Sequence, residues 1–256
     1  MKLEEVRAIV TGGARGLGRC FALELAAAGA RVVVGDIDRA GLRQLKTEAE
    51  TLPGALSVAG LDVADEESVA QFFATADAQL EGANALLNNA GILRDGRLAS
   101  GAGTEVARYP TVQWKKVLDV NLYGPFLMAR EFVARALERG TRPAAIVNIS
   151  SLARAGNAGQ GSYSASKAAL DATTRTWALE LGSAGIRVAG VAPGVIDTPI
   201  LEGISDAAMD KLLAAIPLGR IGRPAEVWQA VRFVLECEFF TGRTVEVDGG
   251  AAMGGA

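Results

Sequence analysis

The sequence predicts an α/β fold in which helices cover both faces of a parallel sheet. Short apolar β-rich runs alternate with amphipathic helical stretches over almost all of the 256 residues. Strands that alternate with helices of this length form right-handed βαβ units, the basis of a doubly wound sheet. No linker-like composition and no internal repeat divides the chain, so residues 1–256 are predicted to form a single domain.

The apolar runs indicate about seven strands, at residues 6–10, 31–35, 56–61, 85–88, 145–149, 187–191 and 244–247. Helices are predicted at residues 16–28, 40–50, 66–80, 111–139, 162–181 and 225–235. Pro125 has no N–H to donate, so we expect it to kink or divide the longest helix.

Residues 96–110 are the least regular stretch of the chain. They follow the fourth predicted strand, which places them at the ligand-binding edge of a doubly wound sheet. Two interpretations stay open, a solvated surface loop and a flap over a substrate pocket.

Composition excludes several classes of partner. The net charge of −3 gives no electrostatic reason to bind nucleic acid or an anionic membrane. No apolar run approaches the roughly eighteen residues that span a bilayer. The N-terminal residues enter a strand at once, which leaves no room for a signal peptide, and we expect a cytoplasmic protein.

The chain contains no histidine and only two cysteines, Cys20 and Cys237. The absence of histidine excludes Ser-His-Asp hydrolysis, Cys-His catalysis and HExxH zinc sites. The two cysteines are far apart and fit no metal-ligand spacing, so we expect reduced, buried thiols and no metal site.

A glycine-rich turn, TGGARGLG, joins the first predicted strand to the first helix. Gly12, Gly16 and Gly18 permit a tight turn that brings backbone N–H groups close to a pyrophosphate. The spacing is GxxxGxG instead of GxGxxG, and no Gly-Lys-Ser/Thr follows, which excludes a P-loop. The turn predicts a dinucleotide site.

Asp36 closes the second predicted strand, near where a ribose-binding carboxylate is expected. A carboxylate there accepts hydrogen bonds from ribose hydroxyls and repels a 2′-phosphate, which favours NAD over NADP. Arg15 in the glycine turn points the other way, because a basic side chain could reach that phosphate. We expect Asp36 to prevail.

Tyr163 and Lys167 stand four residues apart on a predicted helix and so share one face. A free phenol has a pKa near 10, too high for a base at neutral pH. An ammonium group about 4 Å away favours the phenolate by up to ~4 kcal/mol at an effective dielectric of 20. We therefore expect Tyr163 to act as a general acid or base on a ketone or alcohol.

These residues, together with Asp62-Val63, the run from Asn88 to Gly91, NISS at 148–151 and PGVIDT at 193–198, resemble the short-chain dehydrogenase/reductase family over nearly the whole chain. The resemblance implies a Rossmann-like fold and metal-independent hydride transfer. It also implies a catalytic tetrad of Asn121, Ser151, Tyr163 and Lys167. Tyr163 would exchange the proton, Lys167 would bind the nicotinamide ribose, and Asn121 would anchor a relay water.

The serine of that tetrad has two candidates. In similar proteins it is usually the second serine after the fifth strand, Ser151, although its usual distance from the tyrosine points to Ser150. A deletion is tolerated more easily in a loop than in a strand register, so we select Ser151. The substrate is expected to contact Ser150, Ser151 and Tyr163.

The resemblance also implies a set of cofactor contacts that run along the same edge of the sheet. They are Gly12, Arg15, Gly16, Leu17, Gly18, Asp36, Ile37, Asp62, Val63, Asn89, Ala90, Gly91, Tyr163, Lys167, Pro193, Gly194, Ile196 and Thr198.

Substrate choice is expected to lie after Thr198, where apolar residues recur at helical spacing: Ile200, Leu201, Ile204, Met209, Leu212, Leu213 and Ile216. This segment is either an amphipathic helix packed on the body or a mobile lid over an apolar pocket. We expect a small-molecule secondary alcohol or ketone as substrate. The alternative is an NADP-dependent 3-oxoacyl reductase, or a 3-hydroxyacyl-CoA dehydrogenase. A homotetramer is expected by the same resemblance.

Overall fold

The computed structural model describes residues 1–201, 203 and 205–251, with Ile200 described by its backbone alone. The strands found there are β1 Arg7–Thr11, β2 Arg31–Asp36, β3 Ala55–Gly60, β4 Ala85–Asn88, β5 Ala99–Ala102, β6 Glu105–Arg108, β7 Ala144–Ile149, β8 Ile186–Pro193 and β9 Thr244–Val247. Seven of them form one parallel sheet in the order β3-β2-β1-β4-β7-β8-β9. The predicted doubly wound sheet is confirmed.

Helices cover both faces of this sheet. Within the described residues they are α1 Gly16–Ala27, α2 Arg39–Ala49, α3 Glu66–Leu80, α4 Thr111–Leu118, α5 Gly124–Arg139, α6 Gly161–Leu181, α7 Asp206–Ala214 and α8 Pro224–Glu236. One apolar core lies between the sheet and α1, α2 and α8, and a second lies between the sheet and α3 and α5. The central strands β4 and β7 are buried along their whole length, which explains their continuous apolar runs.

The order of the strands reverses between β1 and β4. From β1 the chain continues to β2 and β3 on one side, then crosses to β4 and β7 on the other. Ligands of open α/β sheets bind outside the carboxyl ends of the strands at such a point. The glycine turn follows β1 and the Asn89–Gly91 segment follows β4, so the fold places both there.

Most predicted segments end within two residues of the observed ones, but the long helix at 111–139 is not continuous. A widened π-helical turn, Asp119–Tyr123, separates α4 from α5. Pro125 lies in the first turn of α5, where a missing N–H is tolerated. Pro125 was predicted to kink or divide this helix. The division is found just before it, at the π-helical turn centred on Asn121.

The stretch at 96–110 is not an irregular loop, as the sequence suggested. It contains the antiparallel hairpin β5–β6, in which Ala102 pairs with Glu105 across the two-residue turn Gly103-Thr104. Gly103 has φ +60°, the backbone conformation that such hairpin turns require. The prediction failed because both strands are exposed and carry no alternating apolar pattern.

Candidate active site

The glycine turn packs directly against the start of the segment that follows β4. Gly12 has φ +65°, and a Cβ at this position would lie 2.7 Å from the Cα of Ala90. Asn89 fastens the two segments, because its Nδ2 donates to the carbonyls of Thr11 at 2.9 Å and Gly12 at 3.0 Å. A side chain at Gly12 would therefore push these two loops apart.

The N-terminus of α1 is available to an anion. Arg15 is the N-cap residue, and its side chain makes no capping hydrogen bond to the first turn. The first backbone N–H groups of a helix need partners and carry partial positive charge. This uncapped turn at the switch point of the sheet fits the diphosphate of a dinucleotide.

Asp36 lies at the carboxyl end of β2 and faces the glycine turn. Its Oδ2 accepts a hydrogen bond from the Ala14 N–H at 3.0 Å, and its Oδ1 accepts one from the Asp38 N–H at 2.9 Å. A carboxylate has about four lone-pair sites, so acceptor capacity remains for ribose hydroxyls. Ile37, next to it, is 72 % exposed and offers an apolar surface beside that carboxylate.

A basic residue that sequence reasoning missed stands at the same edge. Arg39 begins α2, and its guanidinium lies over the last residue of β3, since a Cβ added to Gly60 would be 3.4 Å from Nε. The exposed Arg15 is a second basic residue in the glycine turn, which contacts Asp36 through the Ala14 N–H. The signal in the sequence was a basic side chain three residues after the carboxylate.

Asn121 and Lys167 meet beside Gly91. A Cβ at Gly91 would lie 3.5 Å from the Asn121 Oδ1 and 3.7 Å from the Lys167 Nζ. The Asn121 side chain is already paired with the backbone of Ile92: Oδ1 accepts from its N–H at 2.8 Å and Nδ2 donates to its carbonyl at 2.9 Å. Asn121 thus fixes the loop after β4 and has little side-chain capacity left for a water.

Tyr163 and Ser151 face each other across the end of β7. The Ser151 side chain is close enough to the phenol to lower its pKa, and the Ser151 Oγ accepts from the Ala153 N–H at 3.1 Å. Burial raises the pKa of Tyr163, Ser151 lowers it, and the nearby carboxylate of Asp95 raises it. The phenol is therefore protonated at neutral pH.

Lys167 lies behind Tyr163 and is buried. Its Nζ donates to the carbonyl of Ile149 at 2.7 Å and lies 5.7 Å from the centre of the Tyr163 ring. Burial lowers the pKa of Lys167 from 10.5 to about 8, and Asp171 opposes this shift. The expected depression of the tyrosine pKa by this ammonium is not found, because burial is the largest influence on the phenol and Lys167 is not among the groups that shift its pKa.

Ser150 has a different environment from Ser151. It is buried, and its Oγ donates to the backbone carbonyl of Lys167 at 3.4 Å. Ser151 is half-buried, and its side chain lowers the pKa of Tyr163. Of the two candidate serines, only Ser151 is among the groups that shift the pKa of the tyrosine in the described structure.

Several predicted cofactor residues serve the fold with their side chains. Val63 is buried against the start of α5, Ile196 belongs to the apolar core, and Gly194 packs on Asp248. Asp62 is exposed, and its Oδ1 accepts from the Ala64 N–H at 3.0 Å. A ligand can therefore contact these residues (Val63, Gly194 and Ile196) only through their backbone atoms or through the shape that they give to the site.

The segment after Thr198 forms a short 3₁₀ turn, Pro199–Leu201, and then α7. No described residue of α7 is buried, and Met209, Leu212 and Leu213 are half-exposed. Only Ile216, beyond the helix, enters a core cluster. Ile204 and the side chain of Ile200 lie outside the described residues.

Both cysteines are free and half-buried, so the expectation of buried thiols is only partly correct. Burial raises the pKa of the Cys20 thiol to about 11. In the part of the chain that the structure describes, no cluster of acidic, histidine or cysteine side chains has metal-binding geometry. A search of the same residues found no helix that could cross a membrane.

A glycine turn at the switch point of a doubly wound sheet, beside a buried tyrosine and lysine, defines the class of dinucleotide-dependent oxidoreductases. Comparison with known proteins identifies the family. A model described as enoyl-(acyl carrier protein) reductase matches residues 12–252. The chain belongs to the short-chain dehydrogenase/reductase family, whose members bind a nicotinamide cofactor.

Individual relatives cover the chain almost completely. The 3-oxoacyl-[acyl-carrier-protein] reductase FabG of Thermotoga maritima is 38 % identical over 256 residues, covering 99 % of this chain and 100 % of that protein. Carbonyl reductase family member 4 of Danio rerio is 39 % identical, covering 96 % and 98 %. The short-chain reductase protein NovJ of Streptomyces niveus is 38 % identical, covering 96 % and 94 %. All three names describe reductases.

Proposed function

We propose that the protein transfers a hydride between NAD(H) and a secondary alcohol or ketone, without a metal. The observation that carries this proposal is the grouping of Tyr163 with Ser151, which lowers its pKa, and with Lys167, whose Nζ lies 5.7 Å from the centre of the tyrosine ring. A bound nicotinamide would supply or accept the hydride. The rest of the chemistry is proton transfer and orientation by side chains of this chain.

Tyr163 is the proposed general acid for ketone reduction. Because burial raises its pKa, it holds its proton until negative charge develops on the substrate oxygen. Ser151 then orients that oxygen by donating a second hydrogen bond. In the opposite direction Tyr163 must first be deprotonated, which its raised pKa disfavours, so we propose that the rate of alcohol oxidation rises with pH.

Lys167 and Asn121 are proposed to return a proton to Tyr163. With a pKa of about 8, Lys167 can lose and regain a proton close to neutral pH. Asn121 contributes through its backbone, because Pro125 lacks the N–H that would bond the Asn121 carbonyl in a regular helix. We propose that this carbonyl holds the relay water that the side chain, bonded to Ile92, does not.

The proposed cofactor site runs from the α1 N-terminus to the end of β8. Asp36 would hold the adenosine ribose through its remaining lone pairs, and the exposed Ile37 would pack on the adenine ring. The glycine turn and Arg15 would hold the diphosphate. Lys167 would bind the nicotinamide ribose, and the Pro193–Thr198 segment would lie on the nicotinamide side.

A second candidate is an NADP-dependent reductase of 3-oxoacyl thioesters. The names of the relatives support it, since FabG of Thermotoga maritima is a 3-oxoacyl-[acyl-carrier-protein] reductase. Arg15 and Arg39 support it as well, because both could pair with a 2′-phosphate. Asp36 opposes it by repelling that phosphate.

A homotetramer remains our proposal for the assembly. Tyr123 and Phe126 stack with ring centroids 5.9 Å apart, and each is 42 % exposed, an apolar pair suited to a contact between copies. Light scattering at micromolar concentration tests it: a mass four times 26.4 kDa is expected, and a sharp monomer would refute it.

The deciding experiment measures NAD(H) and NADP(H) binding by calorimetry, followed by turnover on a panel of ketones, secondary alcohols and 3-oxoacyl thioesters. We expect NAD(H) to bind more tightly and at least one ketone to be reduced. Tyr163→Phe is the matched control, expected to lower kcat about a thousandfold with cofactor affinity within about twofold. Unchanged turnover in this variant would refute the proposed mechanism.

A further inference from the structure

The β5–β6 hairpin places three arginines around one cleft. Arg94 and Arg97 precede β5 and Arg108 ends β6, and all three line the cleft together with Tyr109 and Gln113. None of the ion pairs found in the described part of the chain includes any of these three guanidinium groups. The three guanidinium groups thus have no carboxylate partner among the described residues, and Arg94 Nη1 donates to the Leu93 carbonyl at 2.8 Å.

The net charge of the cleft is positive. Its lining contains three arginines and one carboxylate, Asp95, which sums to 3 − 1 = +2. Like charges that face one space repel each other, and the repulsion is relieved when an anion binds between them. In the hairpin Arg108 stands opposite Ala99, whose methyl group leaves the guanidinium open to the cleft.

The cleft adjoins the reacting tyrosine. The Gly96 N–H donates to the Gly159 carbonyl at 2.8 Å, and Gly96 pairs with Gln160, the residue before α6. The Tyr109 hydroxyl lies 3.3 Å from the Ser162 Oγ, next to Tyr163 in sequence. A substrate whose carbonyl lies at Tyr163 can therefore extend into the cleft.

The cleft also offers an unused amide. The Gln113 Oε1 is a buried atom for which the described structure provides no hydrogen-bond partner. A rotation of this amide would exchange the acceptor oxygen for two N–H donors at that unpaired position. The Tyr109 hydroxyl meanwhile donates to the Arg94 carbonyl at 2.7 Å and holds that arginine's backbone in place.

We propose that this cleft binds a phosphate group carried by the substrate at the end remote from its reacting carbonyl. Planar guanidinium groups bind phosphate oxygens in bidentate pairs, and a charge of +2 matches a phosphate dianion. The inference rests on the proposed function, because it assigns the far end of the same substrate. Two kinds of substrate carry such a phosphate: a short phosphorylated ketone and a long thioester arm that ends in a phosphate.

Two pairs of substrates separate these sources. The short pair is 4-hydroxy-2-butanone and its phosphate ester. The long pair is the acetoacetyl thioester of pantetheine and that of 4′-phosphopantetheine. We expect the phosphate to lower KM about tenfold in at least one pair with kcat similar, and the pair that responds gives the length of the substrate.

The test variant is Arg97→Gln/Arg108→Gln, in which the KM values within each pair are expected to become equal. The matched control is Arg175→Gln, an exposed arginine on α6 about 18 Å along the helix from Tyr163, which is expected to behave as the wild type. Equal KM values in both pairs for the wild type, or a phosphate advantage that survives in the double variant, would overturn the proposal.

Failure of the proposed function has a different signature. In that case none of the four ketones is reduced, and binding measurements alone test whether the cleft binds phosphate. Calorimetry then compares 4′-phosphopantetheine with pantetheine in excess NADH, which occupies the diphosphate site. A preference for the phosphorylated compound that the double variant loses supports the cleft, and equal affinities refute it.

Discussion

Arg154 and Asp171 form a nearly buried ion pair, with Arg154 Nε 2.7 Å from Asp171 Oδ2, directly behind the proposed catalytic residues. Arg154 also donates to the carbonyl of Ser151 at 3.2 Å and pairs with Glu246 on β9. Asp171 lies one helical turn after Lys167 and raises the pKa of that lysine. The Arg154–Asp171 pair thus contacts Ser151 through its backbone carbonyl and acts on Lys167 through the charge of Asp171.

Asp171→Asn is expected to lower the pKa of Lys167 further, because the carboxylate that opposes its deprotonation is lost. The alkaline limb of the kcat profile then moves to lower pH. Stability is expected to fall by about 2 kcal/mol, since Arg154 loses its nearly buried partner and keeps only the more exposed Glu246 as an acidic partner. Chemical denaturation and a pH profile of kcat measure the two effects, and a stability loss without movement of the limb would show a purely structural role.

Replacement of the two serines is expected to separate chemistry from packing. Ser151→Ala removes the hydroxyl that lowers the pKa of Tyr163 and is expected to lower kcat about a hundredfold with little loss of stability. Ser150→Ala, in contrast, is expected to cost about 1 kcal/mol of stability and leave kcat within about threefold, because its hydroxyl bonds only a backbone carbonyl. Steady-state kinetics and thermal unfolding of both variants decide the assignment, and a larger kcat loss in Ser150→Ala would reverse it.

Asp36→Asn tests cofactor choice while it preserves the shape of the side chain. The amide retains one acceptor oxygen for the turn but loses the negative charge that repels a 2′-phosphate. We expect the ratio of KM for NADP to KM for NAD to fall about tenfold, with Arg15 and Arg39 then free to act. A ratio that does not change would show that Asp36 does not select the cofactor. The control is Asp38→Asn, at the α2 N-cap, for which no change in the ratio is expected.

The lowered pKa of Lys167 predicts that the stability of the protein depends on pH. Its pKa is about 8 in the folded protein and near 10.5 in the unfolded chain, so below pH 8 both states are protonated and the protein bears the full cost of a buried ammonium. As the pH rises from 8 towards 10.5, only the unfolded chain keeps the proton, and this cost is relieved.

Wild-type stability relative to Lys167→Met is therefore expected to increase by about 2 kcal/mol between pH 7 and pH 9.5. Urea denaturation of both proteins at the two pH values measures the difference. The Met variant supplies the control, because groups that titrate elsewhere affect both proteins alike. A constant difference would contradict the lowered pKa of Lys167.

The sequence by itself determined the sheet, the family and the residues of the candidate site. Alternating apolar runs indicate strands and helices because burial on both faces of a parallel sheet requires them. Local spacing also sufficed for the Tyr163–Lys167 pair, since residues four apart on a helix share a face. The glycine turn and Asp36 could be recognised in the sequence, because the backbone geometry of the turn and the binding of a ribose restrict which residues can stand at these positions.

Tertiary structure alone decided the electrostatics and the neighbours. Burial raises the pKa of Tyr163 against the sequence expectation, because the cost of removing a phenolate from water depends on every element packed around it. The Arg154–Asp171 pair joins residues 17 positions apart, and Asp95 acts on Tyr163 beside an isolated bridge between Gly96, which precedes the hairpin, and Gln160. Such contacts depend on how distant segments pack, which no local pattern of residues encodes.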